Sequence, residues 1–246
     1  MKKMASLFLL ISSLLLINQA HAETVTFSTT AARTTLLELY TSEGCSSCPP
    51  ADRWLSRLKQ DPRLWKELFP VAFHVDYWNY LGWNDVFSNK AFSSRQRTYA
   101  SFGYAYTVYT PGFFRNGREW RGWFRKPILP KNRTINIGSL SATVNAKHII
   151  VTFNPAVTLN STYLNIAILG MNRMTHVRAG ENNNQQLQHD FVALSHTLYK
   201  DISNHWQIPT ENFRPQLNEA DAIVLWVTEE NDPTPIQTTG GWLPNK

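Results

Sequence analysis

The chain has 246 residues, with 24 lysines and arginines against 18 acidic residues and a formal net charge of +6. Its two cysteines are too few for the disulfide framework that stabilises small secreted domains. The basic residues are dispersed apart from a loose group between Arg115 and Lys126, which is typical of a solvated surface, so we expect no nucleic-acid partner.

The first 22 residues have the pattern of a secretory signal peptide. The basic start Met1–Lys3 precedes an apolar run over Leu7–Ile17, and Ala20-His21-Ala22 fits the small-residue cleavage rule. The apolar run is shorter than the roughly 20 residues that a membrane-spanning helix needs. We therefore predict an exported protein, periplasmic or secreted, with no membrane contact after cleavage.

Both cysteines lie between a predicted strand and a predicted helix. An apolar run ending at Thr41 precedes Cys45-Ser46-Ser47-Cys48 and two prolines, which a first helical turn tolerates because its N–H groups have no helical partner. Beyond the prolines, apolar residues recur on one helical face: Ala51, Trp54, Leu55 and Leu58.

The start of a helix favours thiolate chemistry. Its unpaired N–H groups carry about half a positive charge, and lowering a cysteine pKa by about one and a half units takes about 2 kcal/mol, which such a position can supply. We therefore expect Cys45 to be the more exposed nucleophile and Cys48 to be the thiol that resolves a mixed disulfide. Ser46 and Ser47 add no charge, so neither a strong oxidant nor a strong reductant is favoured.

The next elements up to residue 130 follow from periodicity and turn residues. We predict a short helical piece at Arg63–Phe69, a strand at Val71–Trp78, a helix from a Ser88 cap to about Phe102 with Gly103 as its end, and a hairpin turn at Asn116-Gly117. His74 and Asp76 share one face of the strand, either as a structural His–Asp pair or as part of a site.

The second half contains β-type runs separated by polar loops, a spacing typical of an antiparallel sandwich. The runs are Ser141–Phe153, Tyr163–Met171, Phe191–Leu198 and Ala222–Thr228. Four histidines are scattered without metal-ligand spacing, and we expect them to be surface or core residues: His176, His189, His196 and His205. We expect no cofactor and no bound metal.

Two stretches carry a resemblance to a known family. The element order, with Cys-x-x-Cys-Pro and later Val108-Tyr-Thr-Pro111, resembles the thioredoxin-like fold. More closely, Glu38–Asp52 and Phe73–Trp83 resemble the secreted bacterial family called domain of unknown function 1223, from about residue 36 to 117 and more weakly beyond. The resemblance implies a thioredoxin-like core with Cys45 and Cys48 as its Cys-x-x-Cys and Pro111 as a cis-proline beside them.

The predicted fold class is an α/β thioredoxin-like domain with an appended antiparallel, sandwich-like β region. We assign residues 23–135 to the thioredoxin-like domain and residues 136–246 to a mostly β region packed on it.

Three functions remain open for the cysteine pair. The first is thiol–disulfide exchange with a disulfide or dithiol substrate protein and an unidentified redox partner, in which Thr110 and Pro111 pair with the substrate backbone. The second is Cu(I) binding by the two thiolates and His74. The third is an inert disulfide in a binding module, against which the two-residue spacer counts, because so small a loop contributes little chain-entropy stabilisation.

Glu38 is a carboxylate inside an otherwise apolar predicted strand, seven residues before Cys45. A buried carboxylate must be paired or have a raised pKa, and in thioredoxin-like sites such a group can accept the proton of the buried thiol. We therefore consider Glu38 a candidate proton acceptor, with a strand-end glutamate facing water as the alternative.

Overall fold

The computed structural model describes residues 24–125, 128–132 and 134–244. The predicted signal peptide, residues 1–22, lies outside them. The described helices are α1 (Pro49–Ser56), α2 (Lys90–Ser101) and α3 (Arg214–Glu219). The described strands are β1 (Val25–Ser28), β2 (Thr35–Thr41), β3 (Leu68–His74), β4 (Gly112–Arg115), β5 (Arg118–Glu119), β6 (Gly138–Val144), β7 (His148–Pro155), β8 (Thr162–Gly170), β9 (Arg173–His176), β10 (Gln186–His189), β11 (Val192–Asp201), β12 (His205–Pro209), β13 (Ala222–Glu229) and β14 (Asp232–Trp242).

An eight-stranded mixed sheet connects the two halves of the chain, in the order β14-β13-β8-β11-β3-β2-β4-β5. Strand β3 is parallel to β2 and to β11, and the other neighbours are antiparallel. Strands β2 and β3 are buried along their whole length, as expected for apolar strands covered on both faces. The regions that the sequence divides at residue 135 therefore share one sheet.

A second sheet, β1-β6-β7-β12, is antiparallel and packs on part of the first. Leu140, Val151 and Trp206 of the small sheet form one core with Ile166 and Leu225 of the large sheet. Two sheets facing each other across such a core form a sandwich. The fold is thus mixed α/β and mostly β, and β1, which we assigned to the N-terminal domain, pairs with β6.

The predicted short helix at Arg63–Phe69 is wrong. Strand β3 begins at Leu68 and continues through Pro70, and Trp65 has a φ of 60°. The physical reason lies partly in the sequence, because a residue before proline avoids the helical conformation. Burial of Leu68 and Phe69 in the main core then favours the strand.

The predicted helix near residues 88–102 is present, but its cap differs. The Asn89 side chain, not that of Ser88, accepts a hydrogen bond from the Ala91 N–H at 2.9 Å, whereas the Ser88 hydroxyl donates to the Asp85 carbonyl at 2.8 Å. Gly103 follows the helix with a φ of 72°, a conformation that glycine adopts without strain.

The predicted hairpin turn is confirmed. Asn116 and Gly117 have φ values of 49° and 76° and connect the paired residues Arg115 and Arg118. Positive φ at both central residues is the requirement of the two-residue turn that Asn-Gly favours. No helix in the described part of the chain is both long and apolar enough to cross a membrane.

Candidate functional site

Cys45 and Cys48 form a disulfide directly before α1, with their Cα atoms 5.4 Å apart. Cys48 is the N-cap residue of the helix, and its carbonyl accepts hydrogen bonds from the N–H groups of Ala51 at 2.8 Å and Asp52 at 3.1 Å. The Ser47 hydroxyl lies 3.3 Å from Cys45 Sγ. The predicted sequence of strand, tight loop and helix is therefore confirmed by β2 and α1.

Both cysteines are buried in this disulfide-bonded structure, with exposed fractions of 1% for Cys45 and 0% for Cys48, so the expectation that Cys45 is the more exposed nucleophile stays a prediction for the reduced protein. The loop between β9 and β10 lies against this segment. Asn182 Nδ2 donates to the carbonyls of Glu43 at 2.8 Å and Cys45 at 3.0 Å, and the Ser46 N–H donates to Glu181 Oε2 at 2.8 Å. A loop from the second half of the chain thus packs on the cysteine loop.

The Thr110–Pro111 peptide bond is cis, as predicted. Thr110 Oγ1 accepts a hydrogen bond from Trp78 Nε1 at 2.7 Å. Trp78 also packs on Gly44, where an added Cβ would lie 2.9 Å from Trp78 Cβ. Trp78 therefore connects the Thr110–Pro111 turn to the residue before Cys45, while the nearness of Pro111 to both sulfurs stays a prediction.

Glu38 is fully buried in β2, and its carboxylate has three partners. Oε1 lies 2.7 Å from Arg95 Nε and accepts from the Tyr40 hydroxyl at 3.2 Å, while Oε2 accepts from the Tyr99 hydroxyl at 2.8 Å. The alternative of a strand-end glutamate facing water is thereby excluded. The proton-acceptor role of Glu38 stays a prediction. Both of its carboxylate oxygens already accept hydrogen bonds from other side chains.

A buried cluster of five titratable side chains lies next to the cysteine loop: Glu43, Asp52, His74, Asp85 and His189, each at most 6% exposed. Glu43 precedes Cys45 by two residues, and Asp52 follows Cys48 by four, one helical turn away on the same face. We call this set the buried acid–imidazole cluster.

Glu43 holds several elements together within this cluster. Its Oε2 accepts from Trp83 Nε1 at 2.7 Å, and its Oε1 accepts from the Thr175 hydroxyl of β9. The same Oε1 lies 3.2 Å from Nε2 of His189 on β10, although that contact is not aligned as a hydrogen bond. The residues flanking Cys45 are thus fixed by side chains from both halves of the chain.

His74 and Asp85 form the closest ion pair of the cluster. His74 Nδ1 donates to Asp85 Oδ2 at 2.8 Å, and this oxygen also accepts from the Glu43 N–H at 2.9 Å. The predicted partner Asp76 instead accepts a hydrogen bond from the Ser93 hydroxyl. The His74–Asp76 pairing is therefore wrong, because the side chain of Asp85 reaches His74 from a loop that sequence spacing does not place.

Electrostatics within the cluster favour a charged His74. Burial alone lowers the pKa of His74, but the carboxylates of Asp85, Asp52 and Glu43 outweigh it and raise that pKa to about 9. For Asp85, burial raises the pKa, but the charge and hydrogen bond of His74 reverse the shift, and the pKa is lowered.

The pKa of Asp52 shifts in the opposite direction to that of Asp85. Burial raises the pKa of Asp52, and this effect exceeds the opposing influence of His189, His74 and the hydrogen bond from Thr41. The Thr41 hydroxyl donates to Asp52 Oδ2 at 3.1 Å, and His189 Nδ1 lies 3.9 Å from the same oxygen. Asp52 is thus a buried carboxylate that binds a proton more readily than usual.

The Cu(I) hypothesis concerns the reduced cysteines and stays a prediction for this disulfide-bonded structure. Among residues 24–125, 128–132 and 134–244, no group of three or more histidine, cysteine, aspartate or glutamate side chains is arranged to hold a metal ion. His74 Nδ1 is engaged by Asp85, and the two thiols are joined to each other.

Comparison with known proteins shows the family. Residues 36–228, well over half of the chain, match the family described as Protein of unknown function (DUF1223). The chain belongs to this family. No curated protein is a significant match.

Two solved structures are similar to this DUF1223 protein. Protein AGR_C_4864 from Agrobacterium tumefaciens has a TM-score of 0.65 at 19% identity, covering 89% of this chain and 96% of its own. HBP35 of Porphyromonas gingivalis has a TM-score of 0.50 at 12% identity, covering 87% of this chain and 76% of its own. At these identities the likeness concerns the fold alone.

Sequence reasoning missed four members of the site in this DUF1223 chain. Glu43 and Asp52 were treated only as part of a resemblance, Asp85 was not singled out, and His189 was assigned to a scattered set of histidines. A usable signal existed for Asp52, because position i+4 from Cys48 lies on the same helical face. Asp85 and His189 had no such signal, since tertiary contacts alone bring them to Glu43 and His74.

Proposed function

We propose that this protein is an exported thiol–disulfide exchange protein built on a thioredoxin-like core. The observation that carries the proposal is the Cys45–Cys48 disulfide at the N-terminus of α1, with Cys48 as the N-cap residue. A helix start stabilises the thiolate that exchange requires. The signal-peptide pattern of residues 1–22 supports export, where disulfide chemistry is permitted.

The reaction exchanges one disulfide for another and transfers two electrons between the protein and its substrate. In the reduced protein the Cys45 thiolate attacks a substrate disulfide, forms a mixed disulfide and releases one substrate thiolate. The Cys48 thiol then loses its proton and attacks Cys45 Sγ, which releases the second substrate thiolate. The protein loses two electrons and the substrate gains two, and the reverse sequence oxidises a dithiol substrate.

Thr110 and Pro111 are the proposed edge for the substrate backbone. The hydrogen bond between Trp78 and Thr110, together with the packing of Trp78 on Gly44, supports this assignment. The partially exposed Thr110 is thereby kept in a fixed relation to the cysteine loop. The expected substrate is a protein with an accessible disulfide or dithiol, and no cofactor is required.

Burial of both sulfurs favours a second candidate, an inert structural disulfide. The reduction potential separates the two functions, because structural disulfides in secreted proteins lie below about −300 mV and exchange proteins lie roughly between −270 and −120 mV. We expect the Cys45–Cys48 couple to fall in the exchange range. Equilibration with glutathione or dithiothreitol buffers, followed by thiol alkylation and mass analysis, measures it.

Single cysteine variants provide the control for this measurement. Cys48→Ser should accumulate a stable mixed disulfide with glutathione through Cys45, and reduced wild-type protein should be alkylated first at Cys45 near neutral pH. Cys45→Ser should form the mixed disulfide much more slowly. A potential below about −300 mV, or equal reactivity of the two variants, contradicts the proposal.

A further prediction concerns the proton of Cys48. Asp52→Asn should slow resolution of the mixed disulfide by about a hundredfold at pH 7, because the buried carboxylate one turn from Cys48 no longer accepts the proton. The rate should recover above the usual thiol pKa of about 8.5, where hydroxide suffices. Stopped-flow decay of a mixed disulfide with a fluorescent thiol, followed against pH, measures this profile.

Glu38→Gln is the matched control, since it neutralises a buried carboxylate that lies outside the buried acid–imidazole cluster. We expect its pH profile to keep the wild-type shape even though its stability falls. If Glu38→Gln loses the rate at pH 7 and Asp52→Asn does not, then the proton acceptor is Glu38, as the sequence suggested.

A further inference from the structure

Strands β9 and β10 form a two-stranded ribbon outside both larger sheets. A ribbon of two strands has marginal stability on its own in water. The ribbon is anchored by the buried Val177, Leu187 and His189. After Val177, the segment 178–185 that leads into β10 has one buried residue, Asn182. We call this segment the lid.

The lid contacts the cysteine loop through two side chains. Asn182 Nδ2 bridges the carbonyls of Glu43 and Cys45, at 2.8 and 3.0 Å, and Glu181 accepts the Ser46 N–H at 2.8 Å. These three hydrogen bonds surround the backbone of Cys45. The lid thus lies directly against the loop that carries the disulfide.

Little apolar surface is buried within the lid itself, since Asn182 is the one buried residue of the segment 178–185. A Cβ added at Gly180 would lie 3.6 Å from Leu81 Cβ and 3.7 Å from Trp83 Cβ, so Gly180 passes close to the neighbouring loop. Segments with few buried apolar contacts open at much lower free energy than the core. The lid can therefore separate from the cysteine loop while the ribbon remains bound to Glu43 through Thr175.

We propose that residues 178–185 gate access to the Cys45–Cys48 disulfide and that Glu181 and Asn182 are the residues that hold this lid closed. The purpose of the gate rests on the proposed exchange function, because a substrate sulfur cannot contact cysteines that are 1% and 0% exposed. The closed state protects the disulfide, and opening exposes it to attack.

The test measures access without requiring exchange activity. Tris(2-carboxyethyl)phosphine reduces a disulfide to two thiols, with water supplying the oxygen of the phosphine oxide, and its rate on the full-length mature protein reports exposure. We expect Glu181→Ala and Asn182→Ala each to accelerate reduction by roughly fivefold to tenfold, as expected for the loss of one or two hydrogen bonds. The double variant should be faster than either.

Asn183→Ala is the matched control, because Asn183 is an exposed neighbour in the same loop and should keep the wild-type rate. Hydrogen exchange at the Ser46 amide should accelerate in Glu181→Ala, since its acceptor is removed. If Asn182→Ala alters the unfolding midpoint, Glu181→Ala still tests the gate, because its side chain is exposed.

If the phosphine reduces the disulfide of Glu181→Ala and of the double variant at the wild-type rate, the proposal that the lid gates the disulfide is wrong. An equal acceleration in Asn183→Ala would also overturn the assignment to Glu181 and Asn182. Failure of the proposed exchange function can be distinguished from failure of the gate. It would be detected in the reduction potential and in the cysteine variants, and it would leave the rates of reduction by the phosphine unchanged.

Discussion

Replacing Arg95 with methionine should lower the free energy of unfolding by about 3 to 5 kcal/mol, because Glu38 would remain buried and charged without its partner. Arg95 Nε lies 2.7 Å from Glu38 Oε1, with side-chain exposures of 9% and 0%. Methionine retains much of the packing volume, so the loss reports mainly on the charge. Urea unfolding at pH 7 measures it.

Arg95 also connects the two halves of the chain. Its guanidinium lies 5.0 Å from the ring centroid of Trp226 in β13 and 5.1 Å from that of Tyr99 in α2, and it donates to the Tyr99 hydroxyl at 2.6 Å. Cation–π contacts of desolvated arginines add to the ion pair. Its loss should therefore destabilise the contact of α2 with the sheet as well as Glu38.

A double-mutant cycle provides the control. Glu38→Gln removes the other charge, and Arg95→Met with Glu38→Gln should cost clearly less than the sum of the single variants, because no unpaired charge stays buried. Arg97→Met, at an exposed position of the same helix, should change stability by no more than about 0.5 kcal/mol. Additive single effects, or a loss at Arg97 equal to that at Arg95, would contradict the explanation.

Stability of the disulfide-bonded protein should fall by about 3 kcal/mol between pH 6.5 and pH 9, given about 1.4 kcal/mol per unit of pKa shift. Burial alone lowers the pKa of His74, but Asp85, Asp52 and Glu43 together raise it to about 9. A folded-state pKa above the unfolded value of about 6.5 means that the contribution is fully present below pH 6.5. It is lost as pH rises through about 9. Urea unfolding across this range, with the disulfide kept intact, measures the slope.

Two variants test whether His74 causes this slope. His74→Gln should remove it, and Asp85→Asn should reduce it, because the nearest carboxylate no longer favours the charged imidazole. Both variants should also be less stable at pH 6, since the buried pair is broken. A slope of wild-type size in His74→Gln would assign the pH dependence to another group.

Local features of the site were readable in the sequence because neighbouring residues determine them. The prolines after Cys48 permit a helix start, Asn116-Gly117 selects a tight turn, and Gly103 ends a helix, so α1, the hairpin and the end of α2 were predictable. The strand signals of the second half located β8, β11 and β13. Strand β14 was missed because Pro233 and Pro235 argue against a strand interior, yet β14 pairs with β13 alone at the end of its sheet, where prolines are tolerated.

Only the tertiary structure decided which side chains surround the disulfide. His74 pairs with Asp85 and not with Asp76, which is nearer in sequence. The partner of His74 depends on how a loop folds back onto the strand and not on strand periodicity. Glu181 and Asn182 reach the backbone of Ser46 and Cys45, respectively, across more than 130 residues of sequence. The sequence by itself thus determined the Cys-x-x-Cys at a helix start, while its burial and its charged surroundings arise from long-range packing, for which no local pattern exists.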